Sequence, residues 1–159
     1  MENIVIDIHG VLDANPGLFV KEAIRVLGHG GTVHIVTGIP WSSEVEEELL
    51  SYGKDGEKYW THFYSIVDHL IREDEPRYLC DKGRTWFYSD EAWDKVKGEY
   101  CEKHEIHRIY DDTIEYRKYM PHHTSFFLYS HDPVAHQIKL DITHLTKPEP
   151  FKVIKAPIK

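Results

Sequence analysis

Apolar positions along the chain switch repeatedly between a strand-like and a helical period. Residues 3 to 8, NIVIDI, are β-branched and almost continuously apolar, as in a strand covered on both faces. Pro16 and Gly17 lead into LFVKEAIRVLG, where Phe19, Ala23, Ile24 and Leu27 share one helical face and Gly28 supplies a stop. GGTVHIVTG then predicts a turn and a second apolar strand from about Thr32 to Val36, with Thr37 and Gly38 at its carboxyl end. Strand, helix and strand at this spacing make a right-handed crossover. Serine caps and early acidic residues in WSSEVEEELLSYG predict a helix over Ser43 to Tyr52.

Residues 53 to 84 read as an insertion carrying one helix. Trp60, Phe63, Ile66, Val67 and Leu70 recur at helical intervals, whereas DEPRYLCDKGR has no period. TWFYS follows as a short strand, DEAWDKVKGEYCEKH as a helix with an aspartate cap, IHRIYDD as a strand ending in two aspartates, and SFFLYS, residues 125 to 130, as a last strand. From residue 136 lysine and proline become frequent. HQIKLDI is a candidate strand, and KPEPFKVIKAPIK either wraps the domain or contacts a partner. The pattern predicts an α/β fold: a three-layer, Rossmann-like parallel sheet over residues 1 to 135, with a C-terminal extension over 136 to 159.

A chain of 159 residues with 41% hydrophobic and 13% aromatic content is long enough for one buried core. Its formal net charge of -8 weighs against a broad grip on nucleic-acid phosphates, though a local basic patch is compatible with that total. Cys80 and Cys101 are too few for a disulfide framework and too far apart for a zinc ribbon, which suits a reducing cytosol. The N-terminus has neither the basic region nor the apolar stretch of a signal peptide, and no run approaches a membrane span, so a cytoplasmic protein without a membrane partner is expected. Oligomeric state is not legible.

Parallel α/β sheets bind ligands beyond the carboxyl ends of their strands. Asp7, Thr37 and the pair Asp111 and Asp112 all fall at such ends, and Lys97 lies in the helix that feeds the last of those strands. The set combines a carboxylate nucleophile, a hydroxyl and an ammonium for phosphoryl oxygens, and further carboxylates for a hard cation such as Mg²⁺. Lys95 shares the helix with Lys97, but spacing to the aspartate pair favours Lys97.

These residues resemble the haloacid dehalogenase (HAD) superfamily. Its first motif, an apolar strand followed by Asp-x-Asp-Gly-(Thr/Val)-Leu, is similar to IVIDIHGVLD; its second, a strand ending in Thr or Ser, to HIVTG; and KGEYCEKHEIHRIYDD to its stretch from lysine helix to Asp-Asp strand. Receiver domains use similar residues but place the acidic pair first, so order separates the two. The resemblance implies a HAD-like fold with a small insertion and no large cap domain. It also implies that Asp7 attacks a phosphoryl group to form an aspartyl-phosphate, that Thr37, Gly38 and Lys97 bind its oxygens, and that Asp7, the His9 backbone carbonyl, Asp111 and Asp112 surround Mg²⁺.

The sequence departs from the family at His9, where a second aspartate would handle the proton. His9 reads as an acid/base, as a relic in a site that binds without turnover, or as a metal ligand. An imidazolium could protonate a leaving alkoxide but could not accept a proton from water, which would make release of the phosphoenzyme slow. The expected function is a Mg²⁺-dependent phosphohydrolase cleaving a small phosphate monoester. The alternatives are an impaired HAD-like binding domain and, from the basic tail, a nucleic-acid end phosphatase. Tyr59, Trp60 and Arg84 are candidates to shape the substrate pocket if the insertion overhangs the strand ends. His122, His123 and His131 make only a weak zinc pattern, because neighbours in an extended chain point apart.

Overall fold

In the computed structural model, residues 1–80, 82–130 and 151–155 are described. The strands are β1 (Asn3–Ile6), β2 (Thr32–Thr37), β3 (His62–Ser65), β4 (Arg77–Leu79), β5 (Thr85–Phe87), β6 (Arg108–Asp111), β7 (Ser125–Ser130) and β8 (Phe151–Lys155). β4 and β5 form a separate antiparallel hairpin, and the other six make one parallel sheet in the order β3-β2-β1-β6-β7-β8. The helices are α1 (Pro16–Gly28), α2 (Ser43–Tyr52), α3 (Ile66–Arg72) and α4 (Asp90–Lys103).

Alternate residues of the central strands enter opposite layers, as the pleat requires. Ile4, Ile6, Val33 and Ile35 pack with Phe19, Ala23 and Leu49 of α1 and α2. Val5, Val36, Ile109 and Phe126 pack with Ile66, Leu70, Val96 and Tyr100 of α3 and α4. The result is a three-layer, Rossmann-like α/β sheet. No helix among the described residues is long and apolar enough to cross a membrane.

Side chains fix the helix starts. Asn15 accepts from the Leu18 N–H beside Pro16, Ser42 from Val45, Ser65 from Asp68 and Ser89 from Ala92. The cap of α4 is therefore Ser89 and not an aspartate; Asp90 is the first helical residue, where its charge suits the helix dipole. On α1 the buried face is Phe19, Val20, Ala23 and Val26, and Ile24 is 52% exposed. Ile24 follows Ala23 by one residue, or about 100° of helix, which turns it off the sheet.

The expected insertion over 53 to 84 contributes an edge strand to the sheet. His62–Ser65 pairs with β2, from His34 opposite His62 to Thr37 opposite Ser65. The helical spacing across Trp60, Phe63 and Ile66 arose by joining an extended segment to α3, whose cap is the last residue of β3. The β4–β5 hairpin lies outside the main sheet. Part of the basic tail is β8, parallel to β7 from Phe126 opposite Phe151 to Ser130 opposite Lys155. The candidate strand HQIKLDI lies outside the described residues.

β2 also buries an imidazole. His34 Nδ1 meets the Tyr100 hydroxyl at 2.6 Å and Nε2 the Thr32 hydroxyl at 2.9 Å. The His34 ring stacks on His62 at 4.3 Å and lies 5.4 Å from His104. Burial, then the neighbouring charges of His62 and His104, lower its pKa to about 3. The unfolded chain therefore binds a proton that the folded chain refuses between about pH 6.5 and 3. Stability conferred by neutral His34 is complete above pH 6.5 and is lost on acidification, by at most about 1.4 kcal/mol per pH unit. Denaturant unfolding at several pH values will show this acid slope in the wild type and a flatter one in His34→Gln; equal slopes would refute the assignment.

Candidate functional site

The chain runs from β1 outward to β2 and β3, then returns across β1 to build β6, β7 and β8 on the other side. β1 and β6 therefore flank the topological switch point, where such sheets open a crevice at the strands' carboxyl ends. Ile6 is in register with Tyr110, and the Asp7 N–H donates to the Tyr110 carbonyl at 3.1 Å, so Asp7 and Asp111 emerge side by side. Carboxylate oxygens of Asp7, Asp111 and Asp112 lie within 4.8 Å of one another.

Lys97 joins this group from α4. Its Nζ is 3.1 Å from Asp7 Oδ1 and 2.5 Å from Asp111 Oδ2, with Lys97, Asp7 and Asp111 all buried. The Tyr116 ring covers the ammonium at 4.9 Å. Gly98 lets α4 approach this closely, because a Cβ there would stand 2.3 Å from the Tyr119 carbonyl oxygen. Asp111 is held further by the Thr113 N–H, which donates to its Oδ1 at 2.9 Å. Lys95 points to solvent, where it pairs with Glu91.

Three carboxylates and one ammonium leave two formal negative charges in a mostly buried place. Burial raises the Asp7 pKa, the Asp111 and Asp112 charges raise it further, and Lys97 opposes them; the net result is about 7. Burial lowers the Lys97 pKa, but Asp111 and Asp7 outweigh it and hold the ammonium above its ordinary range. The residual charge and the all-oxygen donor set fit one hard divalent cation, and Asp7, Asp111 and Asp112 are the residues that can hold it.

The turn after β1 is built around Gly10 at φ +80°, where a Cβ would stand 2.1 Å from Asp112 Oδ2. Asp13 braces this turn by accepting from the Gly10 N–H at 2.8 Å, and its other oxygen lies 3.4 Å from His9 Nδ1. The His9 ring is exposed and is not among the converging ligand atoms. Asp13 immediately follows the six residues that resemble the first motif, and no periodicity in the sequence distinguishes it.

Thr37 ends β2 with its hydroxyl buried and without a hydrogen-bond partner. A buried hydroxyl in this condition suits a ligand oxygen. Gly38 beside it makes room for Trp93, whose ring lies 3.0 Å from where a Cβ would be. Gly38 and His9 border a cleft of about 820 Å³ that Arg84, Trp86, Phe87 and Trp93 also line. Arg84 thus lies where the sequence suggested, but Tyr59 and Trp60 do not. Both are core residues; the Tyr59 hydroxyl donates to the Leu49 carbonyl, and the two rings pack edge to face at 5.1 Å. His123 Nε2 is 3.4 Å from the Cys101 carbonyl oxygen, and His131 lies outside the described residues, so zinc gains no support there.

No protein-family model and no curated protein matches the chain. A solved structure described as "Structure of MT0777" is similar in fold, with a TM-score of 0.51 at 8% identity over 98% of this chain and 86% of that one. That likeness bears on fold alone.

The raised Asp7 pKa has a consequence for stability. Folded Asp7 retains a proton between about pH 4 and 7 that the unfolded chain releases, so its contribution is favourable in acid and is lost as pH rises through 7. Asp7→Asn, which carries no charge there, will melt at a higher temperature than wild type at pH 8 in chelator, and the gap will close toward pH 5. Thermal melts at both pH values check this; a variant less stable at pH 8 would contradict it.

Proposed function

We propose that this protein is a Mg²⁺-dependent phosphohydrolase that cleaves a phosphate monoester through a phosphorylated Asp7. The observation that carries the reading is the convergence of Asp7, Asp111, Asp112 and Lys97 at the sheet's switch point, at the carboxyl ends of parallel strands. The unpartnered Thr37 hydroxyl at the end of the neighbouring strand supports it. The resemblance of the four segments to the HAD superfamily supplies the order of events.

Asp7 in its ionised form attacks phosphorus, and the bond to the ester oxygen breaks as the new oxygen–phosphorus bond forms. Lys97 and the Thr37 hydroxyl donate hydrogen bonds to the phosphoryl oxygens, where negative charge is greatest in the transition state. Bound Mg²⁺ would neutralise phosphoryl charge and favour ionised Asp7. His9, with Nδ1 directed at Asp13, presents Nε2 as the atom that gives a proton to the leaving alkoxide. Water then attacks the aspartyl-phosphate, yielding inorganic phosphate and restoring Asp7. His9, having given up its proton, takes one from that water.

A second reading rests on His9 itself. Its exposed ring is turned to Asp13, so a domain that binds phosphate or a partner without turnover is the competitor. A phosphate-release screen over a broad panel of phosphomonoesters separates the two. The expected result is Mg²⁺-dependent release that Asp7→Asn reduces by about 10³-fold or more; no release from any ester, with inorganic phosphate still bound, favours the competitor.

The proton role of His9 has its own test. His9→Ala will lower kcat/KM for an alkyl phosphate by about 10²-fold and for 4-nitrophenyl phosphate far less, because only a poor leaving group needs the proton and kcat/KM excludes hydrolysis of the shared phosphoenzyme. Equal losses on both esters would remove His9 from that step.

A further inference from the structure

The cleft beside Gly38 has a composition that the fold itself does not require. Trp86, on β5, is 52% exposed and, with Arg84, Thr85 and Phe87, borders about 820 Å³ of space. Ile39 and Pro40 line it from the end of β2, and Trp93 from α4. A volume of this size is typical of small-molecule sites, whose linings are mostly apolar and aromatic with a few polar groups. Two side chains link the cleft to the carboxylate cluster. Trp93 donates from Nε1 to the Tyr116 hydroxyl at 2.8 Å, and the Tyr116 ring covers Lys97 Nζ. His9 borders the cleft on the side of the β1 turn.

We infer that this cleft receives the alcohol portion of the substrate, and that the substrate class is a phosphate monoester whose alcohol carries an aromatic ring. The inference rests on the phosphohydrolase reading for the reacting end of the molecule, but the ring-binding surface stands on the cleft alone. Indole and phenyl faces stack on planar rings of any substitution, and the Arg84 guanidinium both stacks and donates hydrogen bonds. Nucleosides and phenols share this ring chemistry, whereas glycerol lacks it. The phosphoryl group would lie beyond Gly38 and His9, toward Thr37, Lys97 and Asp7, with the ring against Trp86 and Trp93.

The test uses binding and turnover side by side. Quenching of tryptophan fluorescence in Asp7→Asn, with Mg²⁺ present, measures binding of adenosine 5′-monophosphate, 4-nitrophenyl phosphate and glycerol 3-phosphate. Isothermal calorimetry repeats the series without relying on the indoles. The two ring-bearing esters should bind at least about tenfold more tightly than glycerol 3-phosphate. Trp86→Ala should cut that preference about tenfold and Trp86→Phe should restore most of it, while Ile24→Ala, on the exposed side of α1, should leave it unchanged. Melting curves of each variant check that the fold is intact. Glycerol 3-phosphate binding as tightly as the ring-bearing esters, or a preference indifferent to Trp86→Ala, overturns the inference. Hydrolysis of glycerol 3-phosphate by the wild type, in that case, would leave the phosphohydrolase reading in place. Ring-dependent binding without hydrolysis of any ester by the wild type would do the reverse, upholding the cleft and sinking the phosphohydrolase reading.

Discussion

One buried ammonium holds the structure's central contradiction together. Lys97 lies between Asp7 and Asp111, at 3.1 and 2.5 Å, with Asp112 close by, in a place that would otherwise be prohibitive for carboxylates. Much of the surrounding structure serves that placement. Ser89 starts α4 at the right point, Gly98 lets it sink against the Ile114–Tyr119 turn, and Tyr116 covers the ammonium. Gly10 leaves space for the Asp112 carboxylate, which any side chain at that position would displace.

Such an arrangement is a poor way to stabilise a protein, since an apolar replacement of similar volume is often as stable as a buried ion pair. Burial first, and then the charges of Asp111 and Asp112 that Lys97 only partly offsets, raise the Asp7 pKa to about 7. A perturbed carboxylate such as Asp7 at the mouth of a parallel sheet's crevice is where chemistry is expected, because shifted pKa values concentrate at functional sites. The contrast with His34 on β2 is instructive. That imidazole is also buried, and burial with the facing His62 and His104 keeps it neutral while its two nitrogens meet hydroxyls.

The carboxylate cluster and the aromatic cleft are built from different parts of the chain yet meet through two side chains, Trp93 and Tyr116. The cluster depends on β1, α4 and β6, elements anchored in the core. The cleft depends on the β4–β5 hairpin, in and beside which Tyr78, Leu79, Trp86 and Tyr88 keep much of their surface exposed. This division suits a site in which one part is common chemistry and the other selects the molecule.

Local pattern determined much of this protein. Continuous apolar runs at β1 and β2, serine caps at α2, and the aspartates closing β6 were legible because strand, helix and cap preferences act over a few residues. The order Asp7, Thr37, Lys97, Asp111 and Asp112 was legible for a related reason: parallel strands present their carboxyl ends on one side, so strand-end residues gather there. Non-local contacts decided the rest. β3 looked helical because its few residues run into α3, and only pairing with β2 makes them a strand; β8 exists by pairing with β7 across a long stretch of chain. Ile24 faces outward, and Tyr59 and Trp60 inward, because packing against particular neighbours selects a face that periodicity leaves ambiguous. Which way the His9 ring turns, and that Trp86 and Arg84 stand beside Gly38, depend on Asp13 bracing the turn and on where the hairpin lies against α4, distances that no single segment encodes.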